Sequence, residues 1–111
     1  MISPDAEIPM TIEFYETNVK LIVDTLTVGD VVILSTMQPN TMRWFYCPAN
    51  ARAHVAVDYD KDNPAILITN IDIEIIDERY VFGAIEGLYE KEIFRFPFLD
   101  LGRSWTLSKA T

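Results

Sequence analysis

Three aspartates alternate along one polar segment, and their spacing is the closest approach in this chain to a metal-binding loop. They are Asp58, Asp60 and Asp62. Carboxylates at alternate positions of a tight loop can converge on one hard cation such as calcium. A calcium loop also needs a bidentate glutamate at its twelfth position, where this chain has Thr69. We therefore expect an ordinary solvated turn, with a cation site on the three aspartates as the weaker alternative.

A single histidine and a single cysteine limit the catalytic sets that the chain can build. His54 alternates with Val55 and Val57 in an apolar run, which places it on the solvent side of a predicted strand. Cys47 ends another apolar run and is expected to be a small buried side chain. The four glycines are scattered and form no phosphate-binding loop. These patterns predict no catalytic residue, no cofactor and no enzymatic activity.

Two carboxylates alternate with isoleucines and share one face of a predicted strand. Asp72 and Glu74 lie between Ile71, Ile73 and Ile75, about 7 Å apart if the strand is extended. Paired acids at this separation serve glycosidases, but those enzymes also need a deep sugar cleft. We expect the solvated face of a half-buried strand. A small carboxylate- or metal-dependent enzyme is the alternative.

Aromatic side chains make up 12% of the chain, more than one thin sheet can bury. Trp44 and Tyr46 project from one face of their predicted strand, while Arg43 and Phe45 project from the other. Exposed Trp, Tyr and Arg are enriched at protein interaction hot spots. We expect a partner-binding surface drawn from Arg43, Trp44, Tyr46, Asp72, Glu74, Phe96 and Trp105.

The elements that must position these residues are short β-branched and aromatic runs separated by polar turns. The runs cover residues 11–15, 30–36, 41–47, 52–57, 65–69, 71–75, 93–99 and 104–107. Runs of this length and spacing predict an antiparallel meander. The expected fold is mainly β, with α+β as the alternative, and forms a small barrel or roll with one or two short helices. Pro97 is expected to place its strand at a sheet edge.

Two segments fit more than one element. Residues 17–26 carry apolar side chains at helical spacing but also alternate, and we favour the helix. Residues 77–89 fit either a helix or a hairpin that turns at Glu86 and Gly87. Gly83 and Gly87 disfavour the helix, because each glycine inside a helix costs about 1 kcal/mol relative to alanine.

Chain length, hydropathy and cysteine content limit the domain organisation and the location of the protein. The 111 residues predict one domain over 1–111, with residues 1–10 as a loosely ordered arm. No apolar run is long enough to cross a membrane, and no signal-peptide pattern opens the sequence. The lone cysteine excludes an internal disulfide, and the expected location is cytoplasmic.

The net charge of −8 disfavours direct binding to nucleic acid or anionic lipid. It suits a protein partner with a basic or nucleic-acid-binding surface. We therefore expect a small acidic non-enzymatic interaction protein, such as an inhibitor or regulator of a larger protein. A structural subunit of a homo-oligomer, in which Trp44, Phe96 or Trp105 fills a subunit contact, is the alternative from a different class.

Overall fold

The computed structural model describes residues 8–39, 42–58 and 63–110. Strands dominate it, and the strands of its sheets pair antiparallel, which confirms the mainly β prediction. The strands are β1 (Met10–Thr11), β2 (Val31–Thr36), β3 (Met42–Cys47), β4 (Asn50–Asp58), β5 (Ala65–Ile76), β6 (Tyr80–Tyr89), β7 (Glu92–Pro97) and β8 (Trp105–Lys109). Of the predicted N-terminal arm, residues 1–7 lie outside the described ranges, and Met10 pairs with Val81 of β6.

The larger sheet has six strands in the order β1–β6–β5–β2–β8, and β7 also pairs with β6. β1 joins the start of β6 and β7 joins its second half, so both lie on the same side of it. β5 occupies the other side of β6 along almost its whole length. Only the first residues of β5, from Ala65 to Leu67, pair with β2.

The second sheet, β3 with β4, packs its inner face on the larger sheet. The ring of Phe45 lies 4.9 Å from that of Phe96 and 4.9 Å from that of Trp105. Val55 and Val57 from β4 are buried on the same side. The described strands therefore form two packed sheets that enclose one aromatic core and do not close into a barrel.

One helical segment, residues 12–23, connects β1 to β2 in the described part of the chain. It consists of α1 (Ile12–Phe14), a π-helical turn (Tyr15–Val19) and α2 (Lys20–Val23). Val19 and Val23 are buried four residues apart, which is the spacing of one helix face. The favoured helix over residues 17–26 is thus confirmed as far as Val23. No helix in the described ranges is long and apolar enough to cross a bilayer.

The strand predicted over residues 11–15 is wrong beyond Thr11. The Oγ1 atom of Thr11 accepts a hydrogen bond from the backbone N–H of Phe14 at 3.1 Å. Threonine in this position caps a helix by satisfying an otherwise unpaired N–H group. The helix therefore begins where the alternation of polar and apolar residues had indicated a strand.

The second ambiguous segment, residues 77–89, is a strand preceded by a turn. The helix alternative is wrong, and so is the hairpin turn at Glu86 and Gly87: β5 and β6 form a hairpin whose turn lies at residues 77–79. Gly83 and Gly87 lie within β6, where a Cβ atom would collide with the carbonyl oxygen of Asp72 and the side chain of Ile66. The glycines therefore serve close packing inside the sheet.

The predicted edge position of Pro97 is confirmed. Pro97 pairs with Ala84, and among the described strands β7 pairs only with β6. A proline has no N–H group to donate to a further strand, so this edge suits it.

Candidate partner-binding site

Two residues predicted for the partner-binding surface are core residues. Phe96 and Trp105 both have 0% of their surface exposed. Phe45 of the second sheet covers both rings, and the indole N–H of Trp105 donates to the carbonyl of Leu99 at 3.2 Å. Neither ring can touch a partner of the folded protein. Both are therefore removed from the predicted surface.

Arg43, also predicted for this surface, contacts its own chain. Its Nη1 atom donates to Asp100 Oδ2 at 3.1 Å and to Ser104 Oγ at 3.0 Å. The guanidinium also stands 5.6 Å from the ring centre of Phe45. Arg43 thus links β3 to the turn before β8 by hydrogen bonds, and we assign it a structural role.

Trp44 and Tyr46 project from the outer side of β3, where they are 49% and 54% exposed. The strand register places Ala56 opposite Trp44 and His54 opposite Tyr46. The rings of Trp44 and His54 meet edge to face with their centres 4.8 Å apart. Together with the exposed Met42, these side chains form what we call the hairpin aromatic face: Met42, Trp44, Tyr46 and His54.

Asp72 and Glu74 lie on the outer face of the larger sheet, where the alternation predicted them. Arg95 donates to Asp72 Oδ2 at 2.9 Å and to Glu86 Oε2 at 2.7 Å. Arg95 belongs to β7, and it reaches Asp72 across β6 because the small residue Ala84 stands opposite Asp72. Glu74 is exposed and forms no ion pair with another described residue.

β5 is also open along one side. From residue 70 to residue 76, no described strand pairs with the side of β5 that faces away from β6. The carbonyl of Gly83 accepts from the N–H of Phe98 at 3.0 Å, so the backbone groups of Gly83 face β7. In an antiparallel pair, two residues directly opposite each other either bond to each other or both face away. Ile73 is directly opposite Gly83, so the N–H and C=O groups of Ile73 face away from β6.

Alternation extends this arrangement to Ile71 and Ile75, whose N–H and C=O groups also face the open side. The side chains of Ile73 and Ile75 are 44% and 61% exposed. The open side therefore offers backbone groups without a partner strand among the described residues, flanked by isoleucines on one face and by Asp72 and Glu74 on the other. We call residues 70–76 the β5 edge.

The turn that follows the β5 edge adds two more exposed acids, Asp77 and Glu78. Their φ angles are 52° and 58°, and the N–H of Arg79 donates to the carbonyl of Ile76 at 3.0 Å. Two central residues with positive φ are typical of type I′ turns, which favour Asn-Gly. A left-handed conformation disfavours other residues by about 1–2 kcal/mol. The acidic turn is therefore held in a strained backbone conformation.

The hairpin aromatic face and the acids of the β5 edge point in opposite directions. Trp44 projects outward from the smaller sheet, and Glu74 projects outward from the larger one. The aromatic core lies between the two sheets. The residues predicted as one surface thus form two separate surfaces, and one flat partner cannot cover both.

A surface cleft of about 370 Å³ opens beside the acidic turn and is lined by Thr11, Ile12, Glu13, Glu78, Arg79 and Tyr80. The described residues contain no cluster of three His, Cys, Asp or Glu side chains placed to hold a metal ion. Asp60, Asp62 and the side chain of Asp58 lie outside the described residues, so the predicted cation site stays untested. Cys47 is buried, as expected.

Sequence reasoning located the acids Asp72 and Glu74 but missed the open strand side next to them. One signal was available, because the two apolar runs at 65–69 and 71–75 join into a strand of 12 residues while β2 has only 6. A strand of 12 residues whose neighbour on one side has only 6 leaves part of that side unpaired unless a further strand joins it. Comparisons with protein-family models, curated proteins and solved structures found no match.

Proposed function

We propose that this chain is a small acidic interaction protein that binds a basic segment of a larger protein at the β5 edge. One observation carries the proposal: the open side of β5 lies next to Glu74, Asp77 and Glu78, exposed acids that have no ion-pair partner among the described residues. Within residues 70–80 the chain has four acids and one base, Arg79. Such a surface attracts and orients a positively charged partner.

The distribution of basic residues supports this choice of surface. Among the described residues, five bases are paired with acids of the chain itself: Lys20, Arg43, Arg95, Arg103 and Lys109. None of these pairs includes Asp77 or Glu78 of the acidic turn. The negative potential around Glu74, Asp77 and Glu78 is therefore left for a partner to neutralise.

Charge reversal tests the proposal with a fluorescent decalysine peptide as the basic probe. The site variant carries Glu74→Lys and Glu78→Lys, and the control carries Glu16→Lys and Glu90→Lys at exposed positions elsewhere. Each pair adds four units to the net charge of −8 and brings it to −4. We expect the site variant to weaken binding at least tenfold at low salt, and the control to weaken it about threefold or less.

Fluorescence anisotropy over a series of NaCl concentrations gives both the affinity and its salt dependence. Binding to wild type should weaken with salt, because exposed charges are screened within about 10 Å at 0.1 M. Equal losses in both variants would show that only the overall charge matters. That result, or no binding by wild type, would contradict the proposal.

The hairpin aromatic face favours a second candidate function, that of a homo-oligomeric subunit. Trp44 is the one residue of the earlier oligomer hypothesis that remains exposed, since Phe96 and Trp105 are buried. Light scattering distinguishes the two candidates: a mass of 12.7 kDa at high protein concentration would contradict the oligomer. A small carboxylate- or metal-dependent enzyme stays a prediction; the surface cleft is lined by two acids, Glu13 and Glu78.

A further inference from the structure

We infer that the β5 edge binds its partner by strand addition. An extended segment that alternates basic and apolar residues would pair antiparallel with residues 70–76 and extend the larger sheet. The inference rests on the proposed function and specifies how the basic partner is held. Strand addition is a common mode of peptide recognition, in which backbone hydrogen bonds supply affinity and alternate side chains supply specificity.

The backbone of the β5 edge is already arranged for an added strand. The hydrogen bond from Phe98 N–H to the Gly83 carbonyl fixes which residues of β5 face away from β6. Those residues are Ile71, Ile73 and Ile75, and their N–H and C=O groups have no strand partner in the described structure. Upstream of the bulge in β5, the same side is already used: Ile68 donates to the carbonyl of Asp30 at 2.9 Å. An added strand would continue that pairing.

The side chains of the edge define what the added strand must carry. In an antiparallel pair, residues directly opposite each other share one face of the sheet. Apolar residues opposite Ile73 and Ile75 would cover side chains that are now 44% and 61% exposed. Lysine or arginine at the alternate positions would meet Asp72 and Glu74. Glu74 is the stronger anchor, because Arg95 already neutralises part of the charge on Asp72.

A second copy of the chain fits this edge poorly. Antiparallel pairing of two β5 edges sets outward-facing residues opposite outward-facing residues, so Asp72 and Glu74 of one copy meet the same acidic face of the other. Like charges directly opposite each other are destabilising. The N-terminal residues of the chain fit no better, since residues 1–7 contain Asp5 and Glu7 and neither lysine nor arginine.

Backbone methylation of a synthetic peptide separates strand addition from simple charge attraction. The probe is an octapeptide that alternates lysine and valine, added to the full chain. Opposite Ile73 and Ile75, the valine N–H groups would bond to β5 while the lysine N–H groups would face solvent. We expect N-methylation of the valines to weaken binding at least tenfold. N-methylation of the lysines is the matched control and should change the affinity about twofold or less.

Hydrogen exchange of the protein supplies a second readout. The amides of Ile71, Ile73 and Ile75 should become protected by the alternating octapeptide and not by decalysine. Equal binding of the two methylated peptides without amide protection would overturn strand addition while the proposed function stands. Loss of affinity on lysine methylation alone would overturn the antiparallel register. Failure of both the octapeptide and decalysine to bind would overturn the inference and the proposed function together.

Discussion

Trp44 and Trp105 show how position decides the role of a residue type in this protein. Trp105 is fully enclosed by the two sheets, and its indole N–H is bonded to the carbonyl of Leu99. Trp44 stands on the outer side of β3 with about half of its surface exposed. The energy of burial is proportional to the apolar area removed from water, so only Trp105 contributes a full aromatic side chain to stability.

Replacing each tryptophan by alanine should therefore have very different effects on stability. We expect Trp105→Ala to lower the free energy of unfolding by about 3–5 kcal/mol, the range for large aromatic residues removed from a core. Trp44→Ala should lower it by about 1 kcal/mol or less, since its environment is half solvent. Urea unfolding followed by circular dichroism measures both. Equal losses would mean that the two rings are packed alike, which would contradict the two-sheet core.

At the scale of elements, the two tight turns of the larger sheet are built from residues that their backbone conformation disfavours. Asp77 and Glu78 join β5 to β6, and Glu90 and Lys91 join β6 to β7. All four have φ angles between 49° and 74°. Asn-Gly is the favoured pair for such turns. Local strain of this kind is often retained at functional sites, where the side chain is needed although another residue would fit the turn with less strain.

Glycine substitution in the two turns separates the contribution to stability from the contribution to binding. Glu78→Gly and Lys91→Gly should each raise the free energy of unfolding by about 1 kcal/mol, because glycine tolerates positive φ. Only Glu78→Gly removes an acid beside the β5 edge, so only this variant should also weaken decalysine binding. Urea midpoints and fluorescence anisotropy provide the two measurements. Weaker decalysine binding in Lys91→Gly would show that the acidic turn is not what binds decalysine.

At the scale of the whole molecule, the charge distribution also sets how stability depends on pH. Burial raises the pKa of the Tyr15 hydroxyl, with Lys20 opposing the rise and Asp24 and Glu16 adding to it. Burial likewise raises the pKa of Tyr89. The hydrogen bond to Asp24 raises the pKa of Lys20. In each case the folded protein favours the protonated form over the deprotonated one.

These shifts all have the same sign, so their combined effect on stability can be predicted. A raised folded-state pKa contributes stability that is complete below the unfolded-state value, near 10 for tyrosine, and is lost as the pH rises through the folded-state value. The free energy of unfolding should therefore fall as the pH rises above about 10. Tyr15→Phe should make this fall shallower, as measured by urea unfolding across that range. An unchanged slope in Tyr15→Phe would contradict the role given to its burial.

The alternation of β-branched and aromatic residues predicted β2, β3, β4, β5, β7 and β8, because side-chain period is a local property. It left β6 undecided and continued the first strand into the helix. The same alternation assigned Asp72 and Glu74 to a solvated face. Local pattern could not identify the helix start at Thr11, which depends on a capping hydrogen bond. Nor could it explain Gly83, whose reason is a contact with another strand.

Only the tertiary structure decided which aromatic residues are buried and whether part of β5 lacks a neighbouring strand. Phe96 and Trp105 are buried because a second sheet covers them, and no local pattern shows which strands will face each other. In the described part of the chain the β5 edge is open, because β2 pairs with only the first part of a longer strand. Burial and strand pairing are contacts between residues distant in the chain, so the sequence supplied the side chains of the candidate site and the fold supplied their exposure.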